Sequence, residues 1–231
     1  MAVSVDTVYQ RVLALANKEQ RGYITPQEFN LFANQAQMEI FEQYFYDLNQ
    51  WDRRHGNKSL HSDMSEILEE KIEMFSHYDT LIPVGTTGVF ALPDDLYRII
   101  ELRMGNIIVE KVKYQTSVLA AGSYLTTPTT ARPTYSQIMG DNHIQTNPTL
   151  SNITLIYTKK PKKVEWGYFV INDKALYDGN TSKTTNFELH PSEETELVYK
   201  ILKLAGVSMK RDDIMRAGQG MEISQVQQEK Q

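Results

Sequence analysis

Residues 17–30 read NKEQRGYITPQEFN, and two readings compete for them. On an EF-hand template Asn17, Glu19, Arg21 and Glu28 fall at ligand positions one, three, five and twelve, with Gly22 at the turn. Arg21 then sets a cation where a calcium loop presents an oxygen donor. Pro26 falls late in the loop, and no aspartate occupies an early ligand position. The rival reading uses every letter. Gly22 supplies the left-handed residue that ends one helix. Thr25, Pro26 and Glu28 then supply the N-cap, first-turn proline and capping-box acid of the next. The stretch is read as a helix–turn–helix corner, and no metal or other cofactor is expected.

Apolar spacing extends that corner in both directions. Val5, Val8, Val12, Leu15 and Ala16 recur at helical intervals before it. After it, Phe29, Phe32, Ala33, Ala36, Ile40, Tyr44 and Leu48 form a long stripe, which Met38, Phe41 and Phe45 widen. So broad an apolar helix is either sandwiched between neighbours or placed at a subunit contact. A third stripe, Met64, Ile67, Leu68, Ile72 and Phe75, follows with Asp63 as its expected N-cap.

Beyond His77 the pattern becomes short Ile-, Val- and aromatic-rich runs punctuated by Pro83, Gly85, Gly88, Pro93 and Gly105, which are strand and turn signals. GVFALPDDLYRI reads as strand, turn, strand. Residues 115–152 are rich in Thr, Ser, Pro and Asn and are expected to be a long extended segment. ITLIYT and KVEWGYFVI are further strands. HPSEETELVYKILKLAG opens a final apolar-faced helix with a proline and carboxylates. The expected organisation is α+β: a helical part at 1–77, a β-rich insertion at 78–185, a helix at 186–208 completing a helical bundle, and a polar arm at 209–231.

Composition excludes several chemistries. There are no cysteines, hence no disulfides, thiolate catalysis or cysteine-ligated metals. The histidines are scattered without HxH or HExxH spacing, and no phosphate-binding or nucleophile-elbow motif occurs. The acidic pairs Asp94-Asp95, Glu69-Glu70, Glu193-Glu194 and Asp212-Asp213 sit where turns and helix surfaces want carboxylates. No apolar run reaches the roughly 18 residues of a membrane span. The N-terminus lacks signal-peptide layout, so an intracellular protein without a membrane partner is expected. A net charge of −5 gives no nucleic-acid footprint. The one basic run, Lys159, Lys160, Lys162 and Lys163 around Pro161, either touches phosphate or an acidic neighbour, or is a solvated connection between strands. A non-enzymatic structural or interaction protein is expected; a calcium-regulated module and a DNA-binding helix–turn–helix are the rivals.

VDTVYQRVLALANKEQRGYITPQEFNLFANQAQMEIFEQYF, ARPTYSQIMGDNHIQTNPTLSNITLIYTKKPKKVEW and the C-terminal ELVYKILKLAGVSMKRDDIMRAGQGMEISQVQQEKQ resemble virion structural proteins of tailed bacteriophages, notably crAss-like phages. The element order is similar to that of head-to-tail adaptor (connector, ring) proteins of short-tailed phages. The resemblance implies a homo-oligomeric ring of about twelve copies beneath the portal, built on heterologous interfaces. It implies the portal protein and tail or other ring proteins as partners, with DNA as non-specific cargo in the lumen. It also implies a location in the virion after assembly in the host cytoplasm. Another tail or ring protein of the virion, or a small non-catalytic binding module, is the alternative. Interaction residues expected on this reading are Phe41, Tyr44 and Phe45 of the broad helix and Arg132, Pro133 and Tyr135 of the extended segment. Lys159, Lys160, Lys162 and Lys163 of the basic run and Arg216 of the arm, itself expected to order on a partner, complete the set. An acidic lumen would draw on Glu66, Glu69, Glu70 and Glu73.

Overall fold

The computed structural model describes residues 3–16, 24–53, 62–85, 88–138, 142–172, 174–180, 182–208 and 212–229. The chain is mixed α+β and divides into two compact units, residues 1–74 with 161–231, and residues 75–160.

The first unit holds α1 (Val5–Ala16), α2 (Pro26–Arg53) and α3 (Ser62–Glu73). The corner is built as its letters require. Thr25 N–H donates to Glu28 Oε2 at 3.0 Å, and Glu28 N–H donates back to Thr25 Oγ1 at 3.3 Å, a reciprocal capping box. That backbone bond, with the Thr25 hydroxyl second, holds the Glu28 carboxyl below its ordinary value. Gly22 and Arg21 lie outside the described residues. The third helix starts at Ser62, so Asp63 is inside its first turn and is not the cap.

The second unit, β-rich, begins with β1 (Ser76–Leu81), β2 (Val89–Ala91), β3 (Leu96–Met104), β4 (Ile107–Ile108) and β5 (Glu110–Lys111). It continues through α4 (Tyr114–Ala121), β6 (Thr134–Gln137), β7 (His143–Asn147) and β8 (Ile153–Lys159). These strands form two four-stranded sheets, ordered β1-β8-β3-β4 and β2-β7-β6-β5. Alternation along β8 sends Ile153, Leu155 and Tyr157 inward. They join Leu81, Leu102, Phe90, Tyr135 and Ile144 from both sheets in one buried cluster. GVFALPDDLYRI is strand, turn, strand as expected, yet β2 and β3 belong to different sheets. The segment expected to be extended differs more: a two-turn helix, α4, occupies its start.

The chain re-enters the first unit at Pro161 and forms the hairpin β9 (Tyr168–Ile171) with β10 (Lys174–Tyr177). These strands therefore group with the helices, although the reading of the sequence placed them in the insertion. A single 3₁₀ turn (Pro191–Glu193) leads into α5 (Glu194–Ser208), and α6 (Asp212–Glu229) closes the chain. The arm expected to order on a partner packs in cis. Gly218 of α6 is buried so close to α5 that a Cβ would stand 3.0 Å from Lys203 N and 3.2 Å from Tyr199 O. A larger residue there would press the two helix backbones apart by a few tenths of an ångström.

The breadth of α2 also finds its explanation inside the unit. Phe29, Ala33, Ala36 and Ile40 are buried, as are Leu197, Val198 and Ile201 of α5. Beside them, Asn30, Asn34 and Gln37 hold the extended chain 162–166. The side chains that looked like a subunit contact are largely consumed in cis.

Candidate interaction surface

Among the described residues no group of His, Cys, Asp and Glu is placed to hold a metal ion. Some of the acidic residues singled out in the sequence have structural partners. Asp95 accepts a hydrogen bond from the Tyr157 hydroxyl at 3.1 Å, and Glu193 pairs with Lys71. Burial, with Asp95 second, pushes the Tyr157 phenol up to about 12, so it keeps its proton throughout the neutral range. A groove of about 340 Å³ lies on the outer face of the β1-β8-β3-β4 sheet, against Ser76, His77, Tyr78 and Arg103. Its one guanidinium is engaged by Glu101 at 2.7 Å. Glu101 is held low and Arg103 high chiefly by that hydrogen bond. Among the described residues lining the groove, no nucleophile is hydrogen bonded to a base.

What the chain presents instead is apolar surface. None of the residues of α4 is buried. The helix begins after the extended Lys113, whose carbonyl accepts from Ser117 N–H at 2.9 Å. It ends where Gly122 N–H reaches Leu119 O, and a turn closed by Thr127 N–H on Ser123 O follows. Such a short helix is marginal in water by its own propensity. Yet Leu119 is 76% exposed, and in the turn Tyr124 and Leu125 are 99% and 93% exposed. From Tyr114 to Ala131 the sequence carries no charge, while the exposed Lys111, Lys113 and Arg132 flank it. The signal in the sequence was this uncharged, partly apolar run; its Thr and Pro content made it read as extended.

Two other exposed patches lie on the first unit. On the hairpin, cross-strand pairing puts Phe169, Leu176 and Ile171 on one face, and all three are exposed. On α3, Glu66, Glu69, Glu70 and Glu73 are exposed around the exposed Ile67 and beside Met74, the exposed residue that follows the helix.

The residues expected to make contacts scatter. Phe41 and Tyr44 are buried: Phe41 packs edge-on against Phe45 at 5.1 Å, and Lys71 Nζ lies 5.6 Å from the Tyr44 ring. As core residues they offer no surface, because the broad stripe meets its partners within the unit. Pro133 and Tyr135 are buried too, and only Arg132 of that trio is exposed. Lys160, Lys162 and Lys163 are exposed and Lys159 half-buried, but the run is divided at the boundary of the two compact units. Lys162 and Glu188 face each other at 3.7 Å, and the Lys162 N–H donates to the same carboxylate at 3.0 Å. Arg216 is exposed on α6.

The contact between α5 and α6 concentrates charge. Lys200, buried, lies 2.9 Å from Glu222 Oε1 and 3.4 Å from Glu196, and Lys203 takes Glu222 Oε2 at 2.9 Å. Burial pulls Lys200 down, but the Glu222 hydrogen bond and the Glu196, Glu222 and Glu39 carboxylates outweigh it, so its pKa is raised. Burial likewise opposes ionisation of Glu222, and the two lysines outweigh it, so its pKa is lowered.

No protein-family model matches the chain, and no curated protein matches it. Among the described residues no helix is long and apolar enough to cross a membrane.

Proposed function

We propose that this chain is a virion structural protein of a tailed bacteriophage, the subunit of a ring in the head-to-tail connector beneath the portal. There it lines a conduit for DNA and gives tail proteins a platform. The observation that carries this reading is the distribution of exposed apolar surface: an uncharged tip at α4 with a cationic rim, and an acidic apolar patch at α3, on different compact units. Unlike surfaces on one chain are what a heterologous, ring-closing contact requires.

Two further features support it. The helical unit combines N-terminal and C-terminal parts of the chain with the β-rich unit inserted between, an order similar to the one that the resemblance to adaptor proteins implies. The net charge of −5 lets DNA pass without sticking.

Mass photometry with negative-stain imaging tests the proposal, on the protein alone and co-expressed with the portal protein. Closed rings of about a dozen copies are expected. A chain that stays monomeric alone and forms no complex with the portal defeats the connector assignment. A ring that takes tail components but not the portal moves it lower in the tail.

A further inference from the structure

Like charge disfavours pairing of the α4 tip, or of the α3 face, with its own copy. Two tips brought together would juxtapose Lys111, Lys113 and Arg132 with the same cations, and two α3 faces would oppose their carboxylates. Like charges held this close repel, and such juxtaposition acts against the wrong partner. Each patch lacks what the other has. The tip offers exposed Leu119, Tyr124 and Leu125 beside three cations, Lys111, Lys113 and Arg132, which outnumber the one exposed carboxylate next to them, Glu110. The α3 face offers Ile67 and Met74 inside a ring of glutamates.

The hairpin is the weaker receptor for the tip, because the exposed charge on its apolar face is Lys174, of the same sign as the rim.

We infer that the α4 tip of one copy docks on the acidic face of α3 of the next copy. The inference rests on the ring reading and names its subunit contact. Apolar side chains of the tip lose water against Ile67 and Met74, and the rim charges set the orientation. Because the two patches differ, every copy both gives and receives a tip, and the contact propagates until a ring closes. The α3 carboxylates expected in the lumen are thereby moved to the subunit boundary.

The absence of cysteine makes a clean test. The full chain is prepared as Leu125→Cys, as Ile67→Cys and as the double variant, and oxidised under the conditions in which wild type assembles. Mixing the two single variants is expected to give covalent heterodimers, and the double variant a ladder of multimers. Reversing the rim with K111E, K113E and R132E should cut the heterodimer yield by about tenfold, and E66K with E70K and E73K in the partner should restore it. Leu125 homodimers as the main product overturn the inference, and so does a yield indifferent to rim reversal. Wild-type rings without a ladder overturn it while leaving the ring reading intact. Failure of wild type to assemble, alone or with the portal, together with no cross-link, overturns both.

Discussion

The side-chain amide of Asn34 exchanges two hydrogen bonds with the backbone of Val164, Nδ2 to the carbonyl and Oδ1 from the N–H, each 2.8 Å long. Asn30 does the same at Trp166, at 2.9 Å and 3.5 Å. Gln37 donates to Lys162 O at 2.8 Å and accepts from Glu188 N–H at 3.1 Å. A helix rises about 6 Å over four residues, close to the roughly 6.7 Å of two residues in an extended chain. One face of α2 therefore serves the segment 162–166 as a substitute strand. Buried backbone groups demand partners, and here amide side chains provide them.

Asn34→Ala leaves the N–H and carbonyl of the buried Val164 without partners. A loss of about 1–3 kcal/mol is expected in urea unfolding, with the slope unchanged. Asn34→Asp keeps the acceptor for the N–H but turns a carboxylate toward the carbonyl oxygen. Protonation relieves that repulsion, so the variant's deficit against wild type should shrink as pH falls from 7 toward 4. A deficit indifferent to pH would mean that the amide pair is not made.

Gly218 and Gly220, two positions apart on α6, should respond to alanine with opposite signs. At Gly220 a Cβ meets nothing within 4 Å. Gly220→Ala therefore gains helix propensity, about 0.5–1 kcal/mol. At Gly218 the obstacle is the α5 backbone, which gives way only if the helices part. Gly218→Ala is expected to lower the melting temperature, and a rise in both variants would contradict the close crossing.

Acid should release α6. The Glu222 carboxyl is held below its ordinary value, so its contribution is complete above about 4.3 and is lost as pH falls through the depressed value. Lys200 is held above its ordinary value, and its contribution is complete below about 10.4 and lost as pH rises through the raised value. The helix is thus anchored throughout the neutral range. The protection of α6 amides from hydrogen exchange, taken relative to the intrinsic rate at each pH, should fall in acid for wild type. Glu222→Gln, exchanging faster already at pH 7 by a loss of about 1–2 kcal/mol, should lack that step.

Tyr124→Ser with Leu125→Ser should leave the fold of one copy untouched, because both side chains are almost wholly exposed. Unfolding within about 0.5 kcal/mol of wild type is expected, alongside loss of assembly in mass photometry. A large fall in stability would show instead that the tip packs within its own chain.

Much of the fold was legible because its signals are local. The capping box, the spacing of Val5, Val8 and Val12, and the alternation along Ile153 to Tyr157 each act within a turn or a strand, and each formed as read. The misread elements depend on distant neighbours. Phe41 and Tyr44 were expected at a surface but are buried in the helical unit. The C-terminal arm seemed too polar to pack, until Gly218 and the Lys200–Glu222 pair supplied close approach and charge in place of apolar area. The exposed tip at Tyr124 and Leu125 was hidden in a Thr/Pro-rich run, since local composition carries no record of what a turn is left facing.

From its letters alone this chain sets its helices, its caps, the faces of its strands and its lack of thiol chemistry, because those follow from backbone sterics and from neighbours a few residues away. Which apolar face is consumed at home and which stays open is a balance of contacts between residues more than a hundred positions apart, such as Asn34 with Val164. That balance exists only once the chain has closed on itself.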